Sequence, residues 1–138
     1  MNNKNYNVRD SVFKLLFEKH FREDTIDELC SIVEEEKIEE ITVTEKIKFL
    51  ANDILDKQSQ LDEVISKFSK TRVINRIAVV NLIILRIAIY EIMFDEKVPT
   101  NTAIHEAVKL AQTYSAPKDV SFVNGLLGAY SRTLKGSE

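Results

Sequence analysis

The sequence predicts an all-α protein of about seven helices. Its 138 residues contain only three glycines and two prolines, so the residues that interrupt helices and form tight turns are scarce. Apolar residues recur at intervals of three and four along most of the chain, which is the spacing of one face of an α-helix. The length suits one domain or two small subdomains, with a core large enough to need no covalent cross-link.

The first three helices are indicated by an aromatic row and two capping signatures. The first predicted helix covers about Arg9 to Phe21 and carries phenylalanines at positions 13, 17 and 21. The second follows residues 25–28, a capping box in which a threonine oxygen accepts from a backbone N–H and a glutamate reaches back. Residues 42–45 repeat that signature, which predicts the start of the third helix.

A short fourth helix around residues 61–68 precedes the most apolar stretch of the chain, residues 73–94. Arg76, Asn81, Arg86 and Glu91 interrupt this stretch at every fifth position, whereas a membrane span needs ~20 predominantly apolar residues. The same spacing gives no continuous polar face. We therefore predict a central helix near residues 73–94, surrounded by the other helices and not by lipid.

Arg86 lies in the middle of that predicted helix. A buried guanidinium without a partner is costly. We expect Arg86 to be partly buried and paired with a carboxylate, either Glu106 on the next helix or Glu91.

The seventh predicted helix follows Pro117 and contains FVNGLLGAY, residues 122–130, with two of the three glycines inside an apolar stripe. Glycine in a helix interior costs ~1 kcal/mol relative to alanine. The structural interpretation is that Gly125 and Gly128 allow this helix to pack closely on the central one.

Catalytic and metal-binding signatures are not found in the sequence. It contains no Gly-rich phosphate loop, no G-x-S-x-G, no H-E-x-x-H and no Cys/His pair. The protein is therefore predicted not to be an enzyme and to need no cofactor or metal. A single cysteine, Cys30, and a polar start without a signal peptide predict a cytoplasmic protein.

The net charge of the chain is −3, but the charged residues are distributed unevenly along it. Residues 1–22 carry a net charge of +3, residues 23–65 of −10, and residues 66–138 of +4. The acidic middle is expected to be a solvated face directed away from any RNA. Lysine and arginine supply most contacts with phosphates, so the basic ends favour weak nucleic-acid binding, or binding shared with a partner.

Three ordered motifs resemble the NusB family of bacterial transcription antitermination factors. They are LRIAIYEI (85–92), VPTNTAIHEAVKLAQTYS (98–115) and SFVNGLLG (121–128). Residues 72–134 carry the resemblance strongly, and the first 70 agree in helix order and in the Arg9-Asp10 start of the first helix.

The resemblance implies two helical subdomains, about 1–58 and 59–138, and no catalytic activity. It also implies binding of boxA RNA together with NusE, a ribosomal small-subunit protein. The complex would join elongating RNA polymerase and allow it to read through terminators, chiefly in rRNA operons.

Carried over residue by residue, the family's RNA surface corresponds here to Lys4, Arg9, Phe17, Lys118, Phe122 and Asn124. An exposed phenylalanine can stack on an unpaired base, and an asparagine can hydrogen-bond to a base edge or phosphate. Gly125 would let the backbone and RNA approach each other. The alternative interpretation makes Phe122 a helix-start residue that packs on Leu126.

Two departures from the family pattern leave other functions open. The start, NNKNYNVRD, lacks a dense arginine cluster, and His105 replaces the usual asparagine of the sixth helix. One alternative is a NusB-fold paralogue that keeps a protein partner or forms a homodimer but binds RNA weakly or not at all. A second, an RNA methyltransferase with a similar helical domain, would require a separate domain for the methyl donor.

Overall fold

A computed structural model describes residues 7–135, which form seven α-helices and no strand, so the all-α prediction is confirmed. The chain divides into two compact units, with the boundary between Asp56 and Lys57. The first unit contains α1 (Val8–Phe21), α2 (Ile26–Glu36) and α3 (Glu45–Asp56); the second contains α4 (Gln58–Phe68), α5 (Val79–Phe94), α6 (Thr100–Tyr114) and α7 (Pro117–Lys135). None of the described helices is long and apolar enough to cross a membrane.

In the first unit, one of the two predicted capping boxes forms. The N–H of Glu28 donates to Thr25 Oγ1 at 3.1 Å, and the N–H of Thr25 donates to Glu28 Oε1 at 2.8 Å, at the start of α2. The box predicted at residues 42–45 is wrong. Thr44 accepts from the N–H of Ile47 at 3.1 Å at the start of α3, whereas the N–H of Thr42 donates to Ser11 Oγ at 3.0 Å.

In the second unit, α5 is the central helix and packs against α4, α6 and α7. Residues 81–90 are all buried apart from Arg86, in agreement with the predicted absence of a polar face. The predicted start at residue 73 is wrong, because residues 74–76 form a short 3₁₀ turn and α5 begins at Val79. Asn75 and Arg76 are exposed in that turn, so polar side chains reach water where a continued helix was expected.

Arg86 is partly buried and paired with a carboxylate, as predicted, but the partner is different. Its Nε and Nη2 donate to the two oxygens of Asp62 on α4 at 2.8 and 3.0 Å, and 11% of the side chain is exposed. Of the predicted partners, Glu106 pairs with Lys109 on its own helix at 3.7 Å, and Glu91 is half-buried on α5. The two predicted partners lie on α5 itself and on the helix that follows it, whereas Asp62 lies on α4, which precedes α5 and packs against it.

A buried polar contact fixes the corner between α6 and α7. Ser115, which ends α6, donates its hydroxyl to Asn81 Oδ1 on α5 at 2.6 Å, and Asn81 is fully buried. The contact gives the amide oxygen of Asn81 a hydrogen-bond partner and so favours one position for Ser115, whereas the buried Nδ2 of Asn81 has no partner among the described residues. Because α7 begins at Pro117, two residues after Ser115, the contact also constrains the position of the start of α7.

Candidate nucleic-acid interface

One face of α7 lines an open groove, which we call the α7 groove. Residues 118, 122, 125, 129 and 132 follow one another at intervals of four and three, the spacing of a single helix face. The opposite wall is formed by the end of α4 and the segment after it, from Phe68 to Arg72. The groove measures about 570 Å³, a size within the range of small-ligand sites.

The lining of the α7 groove combines positive charge with an aromatic ring. Its cationic side chains are Lys70, Arg72, Lys118 and Arg132, of which all but Arg72 are exposed. None of the described residues that line it is acidic. Such a groove attracts anions and offers an apolar surface beside them, a combination suited to single-stranded nucleic acid.

Phe122 is half-buried on α7. The guanidinium of Arg72 lies over the ring, with its central carbon 4.2 Å from the ring centroid. Arg72 in turn donates from Nη1 to Asp119 Oδ1 at 3.2 Å. Cation–π contact and the ion pair therefore hold Arg72 against the aromatic residue of the groove.

Asn124 does not share a face with Phe122. Two residues apart on a helix, their side chains point in nearly opposite directions. Asn124 is exposed and lines a second groove between α6 and α7, together with Asn101, His105 and Ser121. Ser121 lines both grooves, so the two lie next to each other on α7.

The glycines of α7 are not close-packing positions, and that prediction is wrong. A Cβ atom at Gly125 would meet no atom within 4 Å, and one at Gly128 would meet only Arg132 Nη1, at an ordinary 3.5 Å. Gly125 is exposed and lines the α7 groove, whereas Gly128 does not line it. The open space beside Gly125 belongs to the groove and is available to a ligand.

In the first unit, α1 carries Arg9 and Phe17 on a helix capped by Asn7, whose side chain accepts from the N–H of Asp10 at 3.0 Å. Both residues are half-buried. Phe17 lies between Phe13, at 6.0 Å, and Phe21, at 5.1 Å between ring centroids. Lys4, the remaining predicted contact, lies outside the described residues.

Sequence reasoning missed three side chains with the properties sought in an RNA surface. Phe21 is 64% exposed, more than Phe17, and its place in the aromatic row was visible in the sequence. Arg132 could have been found from its helical spacing to Lys118 and Phe122. Arg72 is brought to Phe122 only by the packing of α4 and α7, which leaves no local signal.

Cys30, the one cysteine of the sequence, is buried in α2. Burial raises the pKa of the Cys30 thiol, so this side chain is protonated at neutral pH and a poor nucleophile. Between residues 7 and 135, no three histidine, cysteine, aspartate or glutamate side chains are grouped closely enough to hold a metal ion.

Comparisons with known proteins agree with the all-α fold and with the resemblance to the NusB family. The sequence model of the NusB family matches residues 6–132. Among curated proteins, "Transcription antitermination protein NusB" of Agathobacter rectalis is 34% identical, with 90% of this chain and 96% of the relative covered. The protein of that name from Clostridium botulinum is 38% identical, with 86% and 91% covered.

Solved structures extend the similarity to three dimensions. A structure of T. maritima NusB is 30% identical, with a TM-score of 0.74 and coverage of 91% of this chain and 88% of that one. A chain in a structure described as "Crystal Structure of a Plectonemic RNA Supercoil" is 27% identical, with a TM-score of 0.79 and coverage of 95% and 96%. On the extent of these matches, the chain belongs to the NusB family.

Proposed function

We propose that the protein is a transcription antitermination factor that binds boxA-type RNA together with NusE. The complex joins elongating RNA polymerase, chiefly on rRNA operons. The curated relatives are named for antitermination, and a structural neighbour comes from a structure described by its RNA. The single observation that carries RNA binding is the α7 groove, which is lined by four cations and by Phe122 and has open space beside Gly125.

The groove suits a single strand for physical reasons. Lys118 and Arg132 are exposed near opposite ends of the α7 face and can each contact a phosphate. Phe122 lies between them along the helix and offers a surface for an unpaired base. Gly125 leaves room for the strand to approach the helix backbone. Asn124, on the neighbouring groove, can hydrogen-bond to a base edge.

In the first unit, we assign Arg9 to a phosphate contact and Phe17, with the more exposed Phe21, to base stacking. Lys4 adds a further cation in the sequence. These assignments rest on the family resemblance and on the aromatic row of α1.

The small number of cations predicts weak RNA binding by the protein alone. We expect the affinity to rise when NusE is added, because the two proteins together offer more contacts to the same RNA. Titration of boxA-type RNA with and without NusE, monitored by fluorescence anisotropy, tests this expectation. NusE binding without RNA binding, or a homodimer that binds neither, would instead favour the RNA-silent paralogue.

The two glycines of α7 provide a matched pair of variants. Gly125→Ala and Gly128→Ala should each raise the free energy of unfolding by ~0.5–1 kcal/mol, because alanine is the better helix former and the added methyl group has room. Gly125→Ala alone should weaken RNA binding, by about tenfold (~1.4 kcal/mol), because its methyl group enters the groove. Urea denaturation and RNA titration measure the two effects.

Equal RNA affinities of the two glycine variants would contradict the assignment of the α7 groove to RNA. Because both substitutions are expected to stabilise α7, a lower affinity of Gly125→Ala cannot be attributed to a less folded protein.

The acidic residues at the end of α2 should contribute nothing to RNA binding. Glu34, Glu35 and Glu36 are all exposed. Changing the three to glutamine should leave the RNA affinity within about twofold of the parent, since carboxylates close to phosphates would oppose binding. A large loss of affinity in the same titration would show that this helix end takes part in the complex.

A further inference from the structure

We infer that Arg72 and Asp119 form an autoinhibitory contact over Phe122, which RNA must open before a base can stack on the ring. The inference rests on the proposed function. It concerns how the α7 groove passes from its free to its bound form, and it assigns roles to two residues outside the predicted RNA contacts.

The position of Arg72 places it in competition with a base. Arg72 and Phe122 both line the α7 groove, and the guanidinium carbon lies 4.2 Å from the ring centroid. The guanidinium therefore covers one face of the ring at the wall of the groove. A base that stacks on this side of Phe122 requires Arg72 to move.

Asp119 holds Arg72 in this position by one hydrogen bond, from Nη1 to Oδ1, at 3.2 Å. Asp119 lies in the first turn of α7, where the positive end of the helix dipole stabilises its charge. The Asp119 side chain is 16% exposed, whereas the Arg72 side chain is 29% exposed. Arg72 is therefore the more accessible partner of the pair.

The Arg72–Asp119 pair is held less tightly than the Arg86–Asp62 pair of the same unit, so it is the easier of the two to open. Arg86 binds Asp62 through two hydrogen bonds, at 2.8 and 3.0 Å, and is 11% exposed. The paired nitrogen and oxygen of Arg72 and Asp119 lie farther apart and share one hydrogen bond, and the Arg72 side chain is more exposed than that of Arg86, 29% against 11%. A phosphate offers Arg72 the same negative charge with more acceptor oxygens, so it can replace Asp119 as the partner.

This exchange couples two contacts with RNA. When Arg72 moves from Asp119 to a phosphate, it uncovers the ring of Phe122 at the same time. A ligand that supplies a phosphate but no base gains only the first contact, and a free base gains neither. The contact thus favours a nucleotide strand over other anions.

Asp119→Asn tests the inference, because it keeps the shape of the side chain and removes the charge that holds Arg72. We expect this variant to bind boxA-type RNA, with NusE present, about threefold to tenfold more tightly than the parent. Glu96→Gln is the matched control, since it removes the same charge from an exposed loop of the same unit. Its affinity should stay within about twofold of the parent.

A second substitution separates release of Arg72 from a general change in charge. In an Arg72→Gln background, Asp119→Asn should give no further gain, because the side chain it releases is already absent. A gain of the same size in that background would overturn the inference and leave Asp119 as a simple repulsive charge.

A measurement without RNA examines the contact itself. The ring-proton NMR signals of Phe122 should shift in Asp119→Asn and in Arg72→Gln, and should stay unchanged in Glu96→Gln. Unchanged signals in the first two variants would show that Arg72 does not cover the ring in solution.

The two hypotheses fail in different ways. RNA binding by the parent without a gain in Asp119→Asn overturns the autoinhibitory contact alone. If neither the parent nor any variant binds RNA with NusE present, the proposed function is overturned. RNA is then also excluded as the ligand that opens the contact between Arg72 and Asp119.

Discussion

Phe122→Ala is expected to weaken binding of boxA-type RNA by ~1–3 kcal/mol, or about 5- to 150-fold, the contribution of one base–aromatic stack. Phe122 supplies an aromatic surface between the exposed cations Lys118 and Arg132 of the α7 groove. Alanine at this position leaves the cations in place and removes the surface for the base. RNA titration at constant salt, with NusE present, measures the change.

A stability effect accompanies this loss, because Phe122 is half-buried and its ring contributes to packing. The variant should therefore also unfold more easily, and Phe122→Leu is the control that separates the two effects. Leucine keeps most of the apolar packing but offers no aromatic face. If Phe122→Leu binds RNA as tightly as the parent while Phe122→Ala does not, Phe122 acts through packing and base stacking is excluded.

Arg86→Met is expected to lower the free energy of unfolding by ~2–3 kcal/mol. The substitution leaves Asp62 without the two hydrogen bonds of its ionic partner. Breaking a buried pair costs ~3–5 kcal/mol, and the smaller value applies here because 25% of the Asp62 side chain is exposed and can be solvated. Urea denaturation measures the loss, and RNA affinity of the folded protein should change little.

The double variant Arg86→Met/Asp62→Asn is the control for this prediction. Without the charge on Asp62, no ion remains unpaired, so part of the stability should return. A double variant that is as unstable as Arg86→Met would indicate that Arg86 acts through packing of its aliphatic stem on α5 and not through its charge.

Local signals were sufficient where the determinants were local. The Thr25–Glu28 capping box was read correctly because its hydrogen bonds join residues three positions apart. The central position of α5 was also correct, because polar residues spaced by five do not form a continuous polar face on a helix. The start of α5 was predicted at residue 73 and was wrong, because the apolar run begins before the α-helix and includes a 3₁₀ turn.

Non-local contacts explain the predictions that were wrong. Nothing near Arg86 in the sequence distinguished Asp62 from Glu106 or Glu91 as its partner. The same holds for Gly125, where the space beside the backbone depends on how α4 and α7 are arranged. A missing side chain is compatible with both close packing and an open groove, and the sequence alone does not choose between them.

By itself, the sequence determined the all-α class, the central helix, the motifs of the NusB family and the helix that carries Phe122. The tertiary structure alone decided that Arg72 lies over Phe122 and pairs with Asp119, and that Gly125 lies in an open groove. The physical reason is that helix periodicity depends on neighbours three and four residues apart, whereas these contacts join residues on different helices or segments.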